Sequence, residues 1–155
     1  PIYRVNGTLS ATMPLSTRGR LIEGMRFTFK DGAVTDFSAT AGQEILKDIL
    51  DTDEGARRLG EVALVAHNSP ISRTGLLFKN TLFDENASCH FALGSAYAEN
   101  HVHGKEMDAE QKKQAGMNHS ITHVDFMVGG PQLNVTGVQA DGTRIKVLVN
   151  GKWAI

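Results

Sequence analysis

The sequence predicts an α+β domain built mainly on antiparallel sheet, with hairpins and a few short helices. Strand-like runs flank Asp31-Gly32 and again Asp141-Gly142, and an Asp-Gly pair between such runs marks a tight hairpin turn. The clearest helical spacing is confined to residues 42–50, where Ile45, Leu46, Ile49 and Leu50 recur on one face. Many strands, two hairpins and few helices belong to the α+β class.

Taken in order, residues 3–13 alternate loosely and carry Val5, Thr8, Leu9 and Thr12, which favours a strand. Residues 21–29 put Met25, Phe27 and Phe29 on one face, turn at Lys30-Asp31-Gly32, and return through residues 34–37. Helix 42–50 breaks at Asp51-Thr52-Asp53-Glu54-Gly55, and residues 56–59 suit a further turn. Residues 62–66 form a short apolar run, the pattern of an internal strand, followed by a loop at Asn68-Ser69-Pro70 and a mixed region to Leu82. Residues 91–93 fit a strand or a buried helix equally. Residues 100–118 are a polar, charged excursion with a helical turn near 108–114. Residues 124–128 predict a strand, and 135–138 with 144–149 the second hairpin. The chain shows no internal repeat, low-complexity tract or linker.

At 155 residues the chain suits one domain, long enough to bury roughly two-thirds of its surface without a disulfide. Sixteen basic and seventeen acidic residues, interspersed, give a net charge of −1 and no basic surface for nucleic acid or an acidic membrane. No apolar stretch approaches the roughly 20 residues of a membrane span, and Pro1-Ile2-Tyr3-Arg4 has no signal-peptide pattern. The single cysteine, Cys89, lies in a buried-looking run and is consistent with a reducing cytoplasm.

The candidate chemistry lies between residues 84 and 125. His90 sits inside the apolar run Ala87-Ser88-Cys89-His90-Phe91-Ala92-Leu93, and His123-Val124-Asp125 leads into Phe126-Met127-Val128. Polar side chains in segments built for burial need a partner, and a divalent metal is one. On a strand His123 and Asp125 project from one face, about 6.6 Å apart in rise. Spacing alone also fits a solvated pair, with Phe126 and Val128 toward the core. Glu61 stands just before Val62-Ala63-Leu64-Val65, at the end of a buried-looking strand or as an ordinary strand-end carboxylate. Glu61, His90, His123 and Asp125 together offer the carboxylate and imidazole donors that zinc, cobalt or manganese accept. His67, His101 and His103 read as solvated, and His119 as a residue that could orient a ligand. Gly94-Ser95-Ala96 is not a G-x-S-x-G elbow, and Gly129-Gly130-Pro131 is too short for a phosphate loop. Trp153 and Tyr3 read as core or edge residues.

The stretches Asp53-Glu54-Gly55-Ala56-Arg57-Arg58-Leu59-Gly60-Glu61-Val62-Ala63-Leu64-Val65, Asn68-Ser69-Pro70-Ile71, Thr81-Leu82-Phe83-Asp84-Glu85-Asn86-Ala87-Ser88, Ala96-Tyr97-Ala98 and His123-Val124-Asp125-Phe126-Met127 closely resemble the thermophilic-type metallo-aminopeptidases, the family of aminopeptidase T, aminopeptidase S and PepS. The resemblance runs from about Tyr3 to Trp153. It implies a cytoplasmic exopeptidase that uses two divalent metal ions (zinc, cobalt or manganese) to activate a water and remove N-terminal residues from peptides. Glu61, His90, His123 and Asp125 match family metal ligands, Glu61 or Asp125 could bridge the metals, and Tyr97 matches an active-site tyrosine placed to donate to the oxyanion. Glu23 matches no ligand and reads as a surface or hairpin residue.

Expected partners are peptides with a free N-terminus and, since family members generally dimerise, a second copy of the chain. The family is longer and supplies another glutamate from a Thr-Glu-Glu-Val-Phe-like segment expected just before Pro1. The chain therefore resembles the C-terminal, catalytic-side domain of a two-domain enzyme. The competing expectation is a non-catalytic domain of the same fold, serving metal binding, peptide binding or oligomer contacts.

Overall fold

A computed structural model describes residues 2–17 and 19–155; Pro1 and Arg18 lie outside the described residues. The chain forms strands β1 (Gly7–Ser10), β2 (Leu15–Thr17), β3 (Arg20–Ile22), β4 (Arg26–Lys30) and β5 (Ala33–Ser38), then helix α1 (Gln43–Leu50). Strand β6 (Leu59–Ala63), helices α2 (Pro70–Thr74) and α3 (Thr81–Asp84), and strand β7 (His90–Gly94) follow. The remainder holds α4 (Ala109–Gln114), β8 (His123–Met127), β9 (Val135–Val138), β10 (Arg144–Val149) and β11 (Lys152–Trp153). The sheets run β1-β4-β5, β2-β3, β6-β7-β8 and β11-β10-β9, with antiparallel pairing throughout. This is the α+β architecture expected from the sequence.

The Asp31-Gly32 hairpin forms as β4 and β5, with Lys30 opposite Ala33 and both turn residues at positive φ. That conformation suits the right-handed twist of the flanking strands. The run at residues 21–29 does not stay one strand. It breaks at Gly24, so Ile22 ends β3 while Met25, Phe27 and Phe29 face inward. Glu23 is exposed, its backbone pairing with Ala41 in an isolated bridge and accepting from the Thr40 N–H and hydroxyl, in line with a surface role.

Helix α1 buries Ile45, Leu46, Ile49 and Leu50, the four residues whose spacing predicts it. They join Ile22, Met25 and Phe27 in a core closed from the other side by Leu59, Leu93 and Phe126. The Phe27 and Phe126 rings meet at 4.9 Å between centroids, so the β1-β4-β5 sheet packs directly on the inner face of β6-β7-β8. Each such fully buried side chain contributes roughly 1.5–3 kcal/mol. The polar excursion holds α4, whose N-terminus is closed by a capping box between Asp108 and Gln111.

One open alternative is decided here and one expectation is corrected. Residues 91–93 resolve as strand, the centre of β7. The run at 62–66 is not an internal strand: β6 spans Leu59–Ala63 at the edge of its sheet, and Val62 is 57% exposed. Apolar residues at 62, 64 and 65 imitate a buried strand, but the packing that fixes the element comes from Leu59. Tyr3 and Trp153 lie at edges, half-exposed, with the Arg58 guanidinium over the Tyr3 ring.

Candidate metal centre

The β6-β7-β8 sheet has one face in the core and one face carrying polar side chains. Along the rows of paired residues, Glu61 lies opposite Ala92 and Ala92 opposite Asp125; Ala63, His90 and Met127 form the row two residues along, and Gly94 pairs with His123. Alternation along β7 and β8 therefore puts His90, His123 and Asp125 on one face, and Leu93, Val124 and Phe126 on the other. Between Glu61 and Asp125 stands Ala92, completely buried and too small to fill the space above it.

Glu61 reaches this face through an irregularity. Leu59 opposes Leu93 while Glu61 opposes the adjacent Ala92, so Gly60 is an extra residue in β6. In a regular strand Leu59 and Glu61 would share a face; the bulge lets Leu59 enter the core and Glu61 enter the polar cluster. A side chain at position 60 would stand 2.2 Å from the Ser95 carbonyl oxygen, which no residue but glycine avoids.

The imidazole Nε2 of His123 lies 3.3 Å from Asp125 Oδ1 and 3.5 Å from Glu61 Oε2, and His90 Nε2 lies 3.4 Å from Glu61 Oε1. Each ring is fixed at its other nitrogen: His123 Nδ1 donates to the Ser95 carbonyl at 2.7 Å, and His90 Nδ1 to the Ser88 carbonyl at 3.3 Å. A carbonyl can only accept, so both rings present Nε2 to the carboxylates.

A further acid joins the cluster from outside the sheet. Glu85 opens the short 3-10 turn Glu85–Ala87 directly after α3. Its neighbour Asp84 is buried and accepts the backbone N–H groups of Phe78 and Asn80 at 2.8 and 3.1 Å, which anchors this segment. One ligand atom from each of Glu61, His123 and Asp125 lies within 4.8 Å of the other two, and the same holds for Glu85, His90 and Asp125. Asp125 belongs to both groups.

Sequence reasoning missed Glu85. The available signal was the adjacent pair Asp84-Glu85 before a buried run, and nothing in its spacing says which of the two acids turns toward the histidines.

Charge shapes the site. The hydrogen bond to Asp125 raises the pKa of His123 against the opposing effect of burial, with help from the Ser95 carbonyl and Glu61. Burial, then the nearby Asp125, raises that of Glu85. Tyr97, half-exposed, sets its ring 4.5 Å from that of His123. Its partial burial and the field of Asp125, Glu61 and Glu85 push the phenol pKa up, which keeps it a hydrogen-bond donor. Three carboxylates and two oriented imidazoles, gathered with one acid in common, fit divalent cations that accept mixed oxygen and nitrogen ligands.

The loop before β8 is clamped. Asp53 accepts from the Ile121 N–H and the Ser120 hydroxyl at 2.8 Å each, and the buried Asn118 amide donates to the Gly55 and Gly94 carbonyls at 2.8 and 2.6 Å. His119 is exposed and belongs to neither ligand group. His67 bonds to Ser72 Oγ at 3.4 Å, and His101 and His103 are exposed.

The sequence profile of the thermophilic metalloproteases, M29, matches residues 2–153. The chain belongs to the M29 family. It is 55% identical over 150 residues to aminopeptidase 2 of Geobacillus stearothermophilus, covering 97% of this chain and 36% of that protein. Aminopeptidase T of Thermus aquaticus is 48% identical over 152 residues, covering 98% of this chain and 37% of the relative. The solved structure of wild-type AmpT from Thermus thermophilus superposes with a TM-score of 0.90 at 43% identity, over 99% of this chain and 38% of that one. The M29 chain described here thus spans a little over a third of the length of these relatives, matching their C-terminal portion. Its relatives are named aminopeptidases, and no helix among the described residues is long and apolar enough to cross a membrane.

Proposed function

We propose that this chain is the metal-binding, catalytic-side domain of a two-domain aminopeptidase that hydrolyses the N-terminal residue from peptides. The observation that carries the reading is the pair of ligand groups, Glu61/His123/Asp125 and Glu85/His90/Asp125, joined through Asp125 on one sheet face. In this reading Glu61, His90, His123, Asp125 and Glu85 hold two divalent ions, and Asp125 serves both positions. Bound there, such ions supply Lewis acidity, lowering the pKa of a water and polarising the scissile carbonyl.

The chain's own residues do the rest. The substrate's free amine, in its neutral form, would coordinate at the same cluster, which favours cleavage at an N-terminus over an internal bond. Tyr97, a phenol protonated at neutral pH, donates a hydrogen bond to the carbonyl oxygen as negative charge develops there. The Ser88 and Ser95 carbonyls hold the imidazoles in orientation, so little reorganisation is needed as substrate arrives. Partners in this reading are unblocked peptides and, as in the family the sequence resembles, a second copy of the chain.

Metal content by mass spectrometry, measured beside the release of free amino acids from an unblocked peptide, tests the proposal. The expected result is two bound equivalents, hydrolysis abolished by chelation, and no cleavage of the N-acetylated peptide. Undiminished hydrolysis by His123→Ala would overturn the site; metal uptake without hydrolysis, both in this chain and in a form extended upstream of Pro1, would favour a non-catalytic metal-binding domain.

A further inference from the structure

Beside the metal centre lies a cavity of about 710 Å³ whose lining includes Arg58, Lys112, Lys113, Ala96, Ala98 and Met117. One strip of chain separates it from the cluster. Ser95 lines the cavity while its carbonyl holds His123, and Tyr97, between the lining residues Ala96 and Ala98, sets its ring against that same imidazole. The strip Ser95–Ala98 thus borders both the cluster and the cavity.

Its chemistry suits an anion attached to a short apolar or neutral body. Among the described residues, Arg58, Lys112 and Lys113 form no ion pair with a carboxylate, although other surface cations such as Lys47, Arg57 and Lys105 do. Arg58 is also held in place: its Nη1 donates to the Ile2 and Asp31 carbonyls at 3.4 and 3.3 Å, and its guanidinium lies 5.0 Å from the Tyr3 ring centre. A guanidinium has five donors, so these contacts orient it and leave donors for a ligand. Lys112 is partly buried on α4, whose capped N-terminus fixes the helix. Glu54 and Glu110 also line the cavity, but both are exposed, so water screens them more than it screens Arg58 and Lys112.

We infer that this cavity is a subsite for the downstream end of a short peptide, with Arg58 and Lys112 receiving its free C-terminal carboxylate. The inference rests on the peptidase reading and deepens it: the domain would favour short peptides whose amino and carboxylate ends reach the ligand cluster and the basic cavity together.

The test uses Leu-Gly-Gly with its first peptide bond reduced to a methylene-amine, so that it is not cleaved, and the C-terminal amide of the same compound. Calorimetry is expected to show the acid binding roughly tenfold more tightly than the amide, the scale of one charge-assisted hydrogen bond. The backbone NMR signals of Ala96, Ala98 and Met117 should shift with the acid. Lys112→Gln, on a surface helix, should bring the two affinities to within about twofold. Equal binding of acid and amide, shifts confined to the His90 to Asp125 face, or an unchanged preference in Lys112→Gln would overturn the subsite. A chain that binds no metal yet prefers the acid would lose the peptidase reading and keep the cavity; one that hydrolyses peptides without the preference would lose only the cavity.

Discussion

The phenol of Tyr97 and the carboxyl of Glu85 show how a residue's neighbours set its task. Both are pushed toward their neutral forms, by burial first and then by Asp125. For Tyr97 that preserves a donor, and Tyr97→Phe in a hydrolysing form of the enzyme should lower kcat by about 10²–10³-fold with KM little changed, as loss of an oxyanion donor does. A matching fall in thermal stability would instead mark a packing role. Glu85→Gln should reduce bound metal from two equivalents toward one and leave the Glu61/His123/Asp125 group loaded. His90, His123, Asp125 and Glu61 were legible because histidines in apolar runs are costly to leave unpartnered and because the surrounding blocks resemble a known family. Glu85 was not, since its direction depends on Asp84 anchoring the Phe78 to Asn80 backbone, a contact no spacing encodes.

Among elements, β6 separates what pattern can say from what packing decides. Its apolar residues suggested a buried internal strand, yet it lies at a sheet edge and turns its carboxylate inward only because Gly60 bulges. Periodicity reads faces from alternation, and a bulge reverses the alternation without altering composition. Gly60→Ala forces a methyl group against the Ser95 carbonyl, so it should cost about 2–3 kcal/mol in urea unfolding and weaken metal binding. Unchanged metal affinity in a folded Gly60→Ala protein would show that the bulge does not position Glu61. By contrast α1 and the β4/β5 hairpin were legible in full, because their signals, an apolar stripe and an Asp-Gly turn, are local.

At the scale of the whole molecule, stability should depend on pH in opposite senses with and without metal. Folding raises the pKa of His123 above its ordinary 6.5 and that of Glu85 above its ordinary 4.5, so the folded metal-free chain holds these protons more tightly than the unfolded chain. Their contribution is complete below the ordinary values and is lost as pH rises through the folded ones. Divalent ions compete for the same atoms, so the rise in Tm on adding zinc should be larger at pH 8 than at pH 5. Melting curves at both pH values check this, and equal shifts would count against metal binding at His123 and Glu85. The sheet organisation was legible as a class; its two-sided use, with Phe126 in the core and Asp125 in the cluster, emerges only when β7 and β8 are paired. Asp125, counted in both ligand groups, makes the two positions interdependent. In the two-ion reading both ions would draw on this one carboxylate, so a change there reaches both positions. Asp125→Ala would then empty both positions together, whereas Glu85→Gln empties one.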